Sequence, residues 1–74
     1  MEERLIEIVA DILQMDKKDV SMELVRENEE KWDSLAHVQL VTEIENEFNC
    51  EIGFDEVDDI KSVKDFLKYI NGEN

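Results

Sequence analysis

The chain of 74 residues has no proline, two glycines and one cysteine. Each scarcity excludes something. Without proline, and with almost no glycine, there is little to break helices or to turn tight hairpins, so a helical chain is expected. Cys50 alone cannot build a disulfide framework, and no second cysteine or histidine cluster exists to form a structural zinc site. A reducing compartment, the cytoplasm, is therefore the expected location. Positive charge is also scarce: 8 Lys and Arg stand against 21 Asp and Glu, a formal net charge of −13. Such a chain repels nucleic acid and anionic membrane, and its self-repulsion points to a monomer. The longest stretch free of charged residues, 34–42, falls far short of the ~18 apolar residues of a membrane span. The start, Met1-Glu2-Glu3-Arg4, lacks the basic-then-apolar order of a signal peptide, so no membrane insertion is expected.

What is present is 42% apolar and 39% charged residues, enough hydrocarbon for one small core. A chain this short buries only about 60% of its unfolded surface, which leaves no room for a large self-contained active site. In residues 2–15, Leu5, Ile8, Val9, Ile12 and Leu13 mark one stripe of an amphipathic helix. Residues 16–31 dissolve into charges, with Val20, Leu24 and Val25 expected to dip inward from a long connection. A second helix begins at Asp33 or Ser34, either of which can cap it, and carries Leu35, Val38, Val41, Ile44 and Phe48 at helical spacing. Asn49 and Gly53 interrupt the chain, and Phe54, Val57 and Ile60 are expected to form the inward edge of a short helical turn. Ser62 with Asp65 resembles a capping box that opens a last helix with Val63, Phe66, Leu67 and Ile70, closed by Gly72. The fold expected is all-α: a single domain over residues 1–74, built as a small four-helix bundle of three main helices and one short one.

The charge is unevenly placed. Residues 32–60 hold nine acids (Asp33, Glu43, Glu45, Glu47, Glu51, Asp55, Glu56, Asp58 and Asp59) and no Lys or Arg. A face kept only for solubility would gain from interspersed lysines. A surface of one sign forgoes that gain and suits the steering of a partner with a basic patch. A calcium loop is excluded, because Asp55-Glu56-Val57-Asp58-Asp59 lacks the ligand spacing and turn glycine such a loop needs. No metal-ligating set is expected.

Trp32-Asp33-Ser34-Leu35 places a hydroxyl at the start of the second helix, where free N–H groups and the helix dipole favour negative charge. A plain N-cap is the ordinary role of a serine there. An enzyme reading would join Asp33, Ser34 and His37 into a nucleophilic set, but there is no G-x-S-x-G elbow and no core in which to build a cleft, so no catalysis is expected. His37 is expected to be an exposed or solvated ring. Cys50, Met15, Met22 and the three phenylalanines are expected at or near the core.

Asp33-Ser34-Leu35 followed by Val38, Leu40, Val41, Ile44, Glu45, Glu47 and Phe48 resembles the acyl carrier proteins. The likeness continues through Glu51-Ile52, the acidic run to Ile60, and Ser62-Val63 to Tyr69-Ile70, and so covers nearly the whole chain. It implies that a phosphopantetheinyl transferase attaches 4′-phosphopantetheine from coenzyme A to Ser34, beside Asp33 and Leu35. Acyl groups are then held as thioesters for loading, condensing or transfer enzymes with basic docking patches. It further implies a docking face made of Leu35, Val38, Thr42, Glu43, Glu45, Glu47, Glu51 and Asp58. Leu35 and Val38 also lie on the periodic apolar stripe, so a core role competes for both, and Leu35 is expected to turn to the partner and Val38 to the core. Lys31, Ala36, His37, Asn46 and Gly53-Phe54 depart from the pattern of the fatty-acid-synthesis members, and Trp32 resembles carriers of specialised metabolism or aminoacyl transfer. The alternative is an acidic adaptor that binds a basic partner without a prosthetic group, with Ser34 an ordinary cap.

Overall fold

The computed structural model describes residues 2–70. Helix α1 (Glu2–Leu13) buries Leu5, Ile8, Val9, Ala10 and Leu13, the stripe its spacing predicts. It closes at Gln14, whose φ of 57° is left-handed, and Met15 N–H then reaches back to the Ala10 carbonyl at 2.9 Å. The connection holds two single 3-10 turns, Lys17–Asp19 and Arg26–Asn28, and sends Val20 fully inward and Leu24 and Val25 part-way. Helix α2 (Ser34–Phe48) packs against α1 and ends at Asn49, φ 54°, whose N–H bonds the Glu45 carbonyl.

Beyond α2 the chain makes a 3-10 stretch, Phe54–Asp59, then a second, Val63–Phe66, which runs into helix α3 (Leu67–Ile70). The last helical segment thus starts as a tighter helix than its spacing predicts. Its start is fixed by Asp65, whose carboxylate accepts from the N–H groups of Lys61 at 2.8 Å and Ser62 at 3.1 Å. The Gly72 stop lies outside the described residues. Among the described residues there is no strand, only one antiparallel bridge between Val25 and Ser62. Around it, Arg26 N–H bonds the Lys61 carbonyl at 2.8 Å and Val63 N–H bonds that of Leu24 at 3.0 Å. The long connection is therefore tied down along the start of the last segment.

One core unites these parts. Leu5, Val9, Leu40, Ile44, Ile60, Val63 and Phe66 are closed to solvent, and Trp32 joins them from the end of the connection. The result is the all-α bundle expected, with two long helices, a short 3-10 stretch and a mixed last segment. Among the described residues no helix is long and apolar enough to cross a membrane.

Three expectations about the core are corrected. Phe54 is 97% exposed: it is the first residue of its 3-10 stretch, where the chain has only begun to turn, and Val57 and Ile60 are left to face in. The other two phenylalanines lie as expected, Phe66 fully buried and Phe48 half-buried against the core. Val38 is 58% exposed, since the buried arc of α2 is Ala36, His37, Leu40, Val41 and Ile44 and Val38 lies past its edge. His37, expected in solvent, is buried instead, at 3% exposure.

Candidate functional site

Asp33 is the N-cap of α2: it keeps extended backbone angles, and its carboxylate accepts the Ala36 N–H at 2.9 Å. Its carbonyl takes the first helical bond from His37 N–H, also at 2.9 Å. Ser34 is then the first helical residue, with its side chain in solvent. The cap satisfies the Ala36 N–H and leaves those of Ser34 and Leu35, at the positive end of a helix of 15 residues, facing outward with the hydroxyl. An anionic ester at this oxygen would meet that partial positive charge. The residues present fit an attached phosphodiester.

Behind the serine stands a buried polar relay. The Trp32 indole Nε1–H donates to His37 Nδ1 at 2.9 Å, and His37 Nε2 lies 2.8 Å from the Val57 carbonyl. With Nδ1 accepting, Nε2 carries the proton and donates, so both ring nitrogens are satisfied by one tautomer. Trp32 is itself held by its N–H to the Glu29 carbonyl at 3.0 Å. The relay ties the residues before Ser34, the first turn of α2 and the 54–59 stretch into one unit. His37 falls at i, i+3, i+4 and i+7 with Leu40, Val41 and Ile44, a spacing that marks it as buried despite its polarity.

The expected docking residues divide into two groups. Leu35, 69% exposed, Val38 and Thr42 share one outward face of α2. Glu43, Glu51 and Asp58 are exposed, with no side-chain bond to any described residue. Glu45 is different: its carboxylate accepts the Ile52 N–H at 2.8 Å and so closes the turn after α2. Glu47 is held by Arg4, whose Nε and Nη2 donate to it at 3.0 and 3.2 Å while Nη1 donates to Glu7 at 2.9 Å. Phe54, which the sequence placed inside, joins the exposed apolar residues instead. Burial pushes the Cys50 thiol up, Glu45 adding to the effect, so at neutral pH it is an unreactive thiol rather than a nucleophile.

The Arg4 fork has a predictable pH signature. Its hydrogen bonds hold the Glu47 and Glu7 carboxyls below their usual value of 4.5, Lys17 adding to the effect at Glu7. A carboxyl lowered by folding stabilises fully above its unfolded value, and the contribution fades as pH falls through the folded one. Arg4→Gln is therefore expected to melt below the parent at neutral pH. The gap should narrow as pH falls below 4.5 and the two carboxyls take up protons. Thermal melts of the pair across this range check it, and a gap that persists in acid would show that Arg4 acts through packing of its stem instead.

Among the described residues no group of His, Cys, Asp and Glu is placed to hold a metal ion. Residues 3–70 match the family model described as phosphopantetheine attachment site. The acyl carrier protein of Porphyromonas gingivalis is 36% identical over 70 residues, covering 95% of this chain and 90% of that protein. That of Rickettsia massiliae is 39% identical over 70 residues, covering 95% of this chain and 81% of that protein. Matching along nearly its whole length, and with a helical bundle that brings an exposed serine to a capped helix start, the chain belongs to the acyl carrier protein family, non-catalytic carriers that work through covalent 4′-phosphopantetheine.

Proposed function

We propose that Ser34 is the attachment residue and that residues 1–74 act as one carrier unit. The observation that supports this most is the solvent-facing Ser34 hydroxyl at the first turn of α2, behind an Asp33 cap that leaves the outer N–H groups to face added charge. In the loading step the Ser34 oxygen attacks the phosphorus of coenzyme A that bears the pantetheine. The phosphoanhydride bond breaks, 3′,5′-ADP leaves with the electron pair, and the hydroxyl proton passes to a base of the transferase. The group, once bound, supplies a thiol that holds acyl cargo as a thioester. This chain's part is to present it: the Trp32–His37–Val57 relay steadies the serine, and Leu35, Val38, Thr42 and Phe54 offer apolar contact beside the carboxylates of Glu43, Glu51 and Asp58.

The partners are a phosphopantetheinyl transferase and loading, condensing or transfer enzymes with basic docking patches. Supporting this is the run of nine acids without a Lys or Arg in residues 32–60. We assign the carrier to a specialised pathway, of lipid, polyketide or aminoacyl type, in place of bulk fatty acid elongation. The exposed Phe54 and Asn46 change the docking face that the elongation enzymes would meet. The protein acts as a cytoplasmic monomer, a reading supported by its self-repelling charge and single free cysteine.

Intact mass tests the reading. The parent, incubated with coenzyme A, magnesium and a broad-specificity phosphopantetheinyl transferase, should gain one phosphopantetheinyl group, and Ser34→Ala should gain none while staying folded. Modification of the alanine variant would move the site elsewhere; no gain by the parent, beside a control carrier that is modified, would leave the adaptor role.

A further inference from the structure

Where the long connection is tied to the start of the last segment, it leaves a groove of about 350 Å3 lined by Val25, Arg26, Glu27, Trp32 and Lys61. Its lining combines apolar surface from Val25 and Trp32 with two of the eight basic residues of the chain. Arg4, Lys17 and Lys64 are paired with carboxylates. Among the described residues Arg26 and Lys61, like Lys18, Lys31 and Lys68, meet none, but only Arg26 and Lys61 share one groove. Arg26 offers no side-chain bond to the protein, and the Lys61 ammonium donates only to the backbone carbonyl of Asp58 at 3.2 Å. Glu27, the one acid on the rim, is exposed and bonded to neither. Two cations without carboxylate partners, lining one groove with Val25 and Trp32, suit an anion carried on a hydrocarbon stem, the guanidinium being able to grip a carboxylate through two donors.

The position of the groove selects its occupant. Trp32 lies two residues before Ser34, so their Cα atoms are at most about 7.6 Å apart. A flexible arm on Ser34 would hold its cargo near the groove at an effective concentration of order millimolar, whereas a free anion must approach a chain of net charge −13. We propose that this groove receives the carboxylate end of an acyl group borne on the protein's own arm, so that cargo with a free terminal carboxylate docks between Arg26 and Lys61. The inference rests on the assignment of Ser34 as the attachment residue. It names the cargo class that this groove distinguishes: the free carboxylate of a dicarboxylic acyl group docks there, and an uncharged acyl group of equal length does not.

Two acyl groups of five carbons make the test. The transferase is supplied with glutaryl- or pentanoyl-coenzyme A, intact mass confirms loading, and amide spectra of the 15N-labelled proteins are compared, with the single indole N–H of Trp32 as reporter beside the backbone amides of Arg26 and Lys61. The glutaryl form should shift these three signals relative to the pentanoyl form. In the double variant Arg26→Gln, Lys61→Gln, which leaves the backbone bond between the two positions intact, the difference should vanish. Coincident spectra of the two loaded forms, or a difference that survives in the double variant, would overturn the inference while leaving Ser34 in place. Free glutarate reproducing the shifts at the same concentration would overturn its restriction to tethered cargo. Failure of the parent to gain mass, beside a control carrier that loads, would withdraw the attachment site and this inference with it.

Discussion

Trp32→Ala is expected to leave the protein largely unfolded. The indole is 2% exposed, and truncating a buried aromatic to alanine removes about 3–5 kcal/mol of packing. The same change strips His37 Nδ1 of its donor, and a buried acceptor left without a partner costs about 1–3 kcal/mol more. Small domains are stable by only about 5–15 kcal/mol in total, and one this short lies toward the low end. Trp32→Phe separates the two contributions, since it keeps most of the ring volume and removes only the N–H. It should cost about 1–3 kcal/mol, and for a domain of this size each kcal/mol lowers the melting temperature by roughly 4–8 °C. Urea unfolding followed by circular dichroism measures both variants. A Trp32→Phe protein as stable as the parent would mean that the relay positions Ser34 without contributing to the fold.

How much of this could be read in advance depends on which physical signal each residue carries. The stripe of α1, the cap at Asp33 and the Asp65 anchor were legible because each is local: a period of 3.6, a short acceptor before a helix, a carboxylate three residues past a serine. Val38 was misplaced for a geometric reason. Leu35, Val38, Val41 and Ile44 are spaced by threes, and each step of three falls about 60° short of a full turn, so the row drifts from the solvent face at Leu35 to the core at Ile44. His37 was misplaced because its polarity was weighed above its position. Its burial rests on partners five and twenty residues away, Trp32 and Val57, which no local pattern reveals. Phe54 shares a spacing of three with Val57 and Ile60, which marks it as core, yet it is the first residue of its 3-10 stretch and stands in solvent where the later two face in. Hydrogen bonds decided which acids of the docking face are engaged, and hydrogen bonds across the fold are invisible to composition.

That division of the acids yields the largest functional effect expected of any surface change. Glu43→Lys combined with Asp58→Lys reverses two carboxylates that no described side chain engages, and moves the formal net charge from −13 to about −9. Steering by a charged face raises association rates by roughly 10- to 1000-fold, so at low salt the double reversal should lower kcat/KM for phosphopantetheinyl transfer at least about tenfold. Added salt should shrink the deficit, because charges separated by more than the ~10 Å screening length at 0.1 M no longer attract. Glu45→Ala should behave in the opposite way. Its carboxylate closes the turn at Ile52, so its loss should cost about 1–3 kcal/mol of stability and leave the salt slope of the transfer rate nearly unchanged. Glu47 is already partly neutralised by Arg4 and offers an approaching basic patch less than its sequence position implies. Transfer rates measured across ionic strength, with thermal melts of the same variants, decide the matter. If the Glu43 and Asp58 reversals left both rate and salt slope untouched, the transferase would dock through the apolar contacts at Leu35, Val38 and Phe54 alone, and the one-sign surface would have no part in recognition.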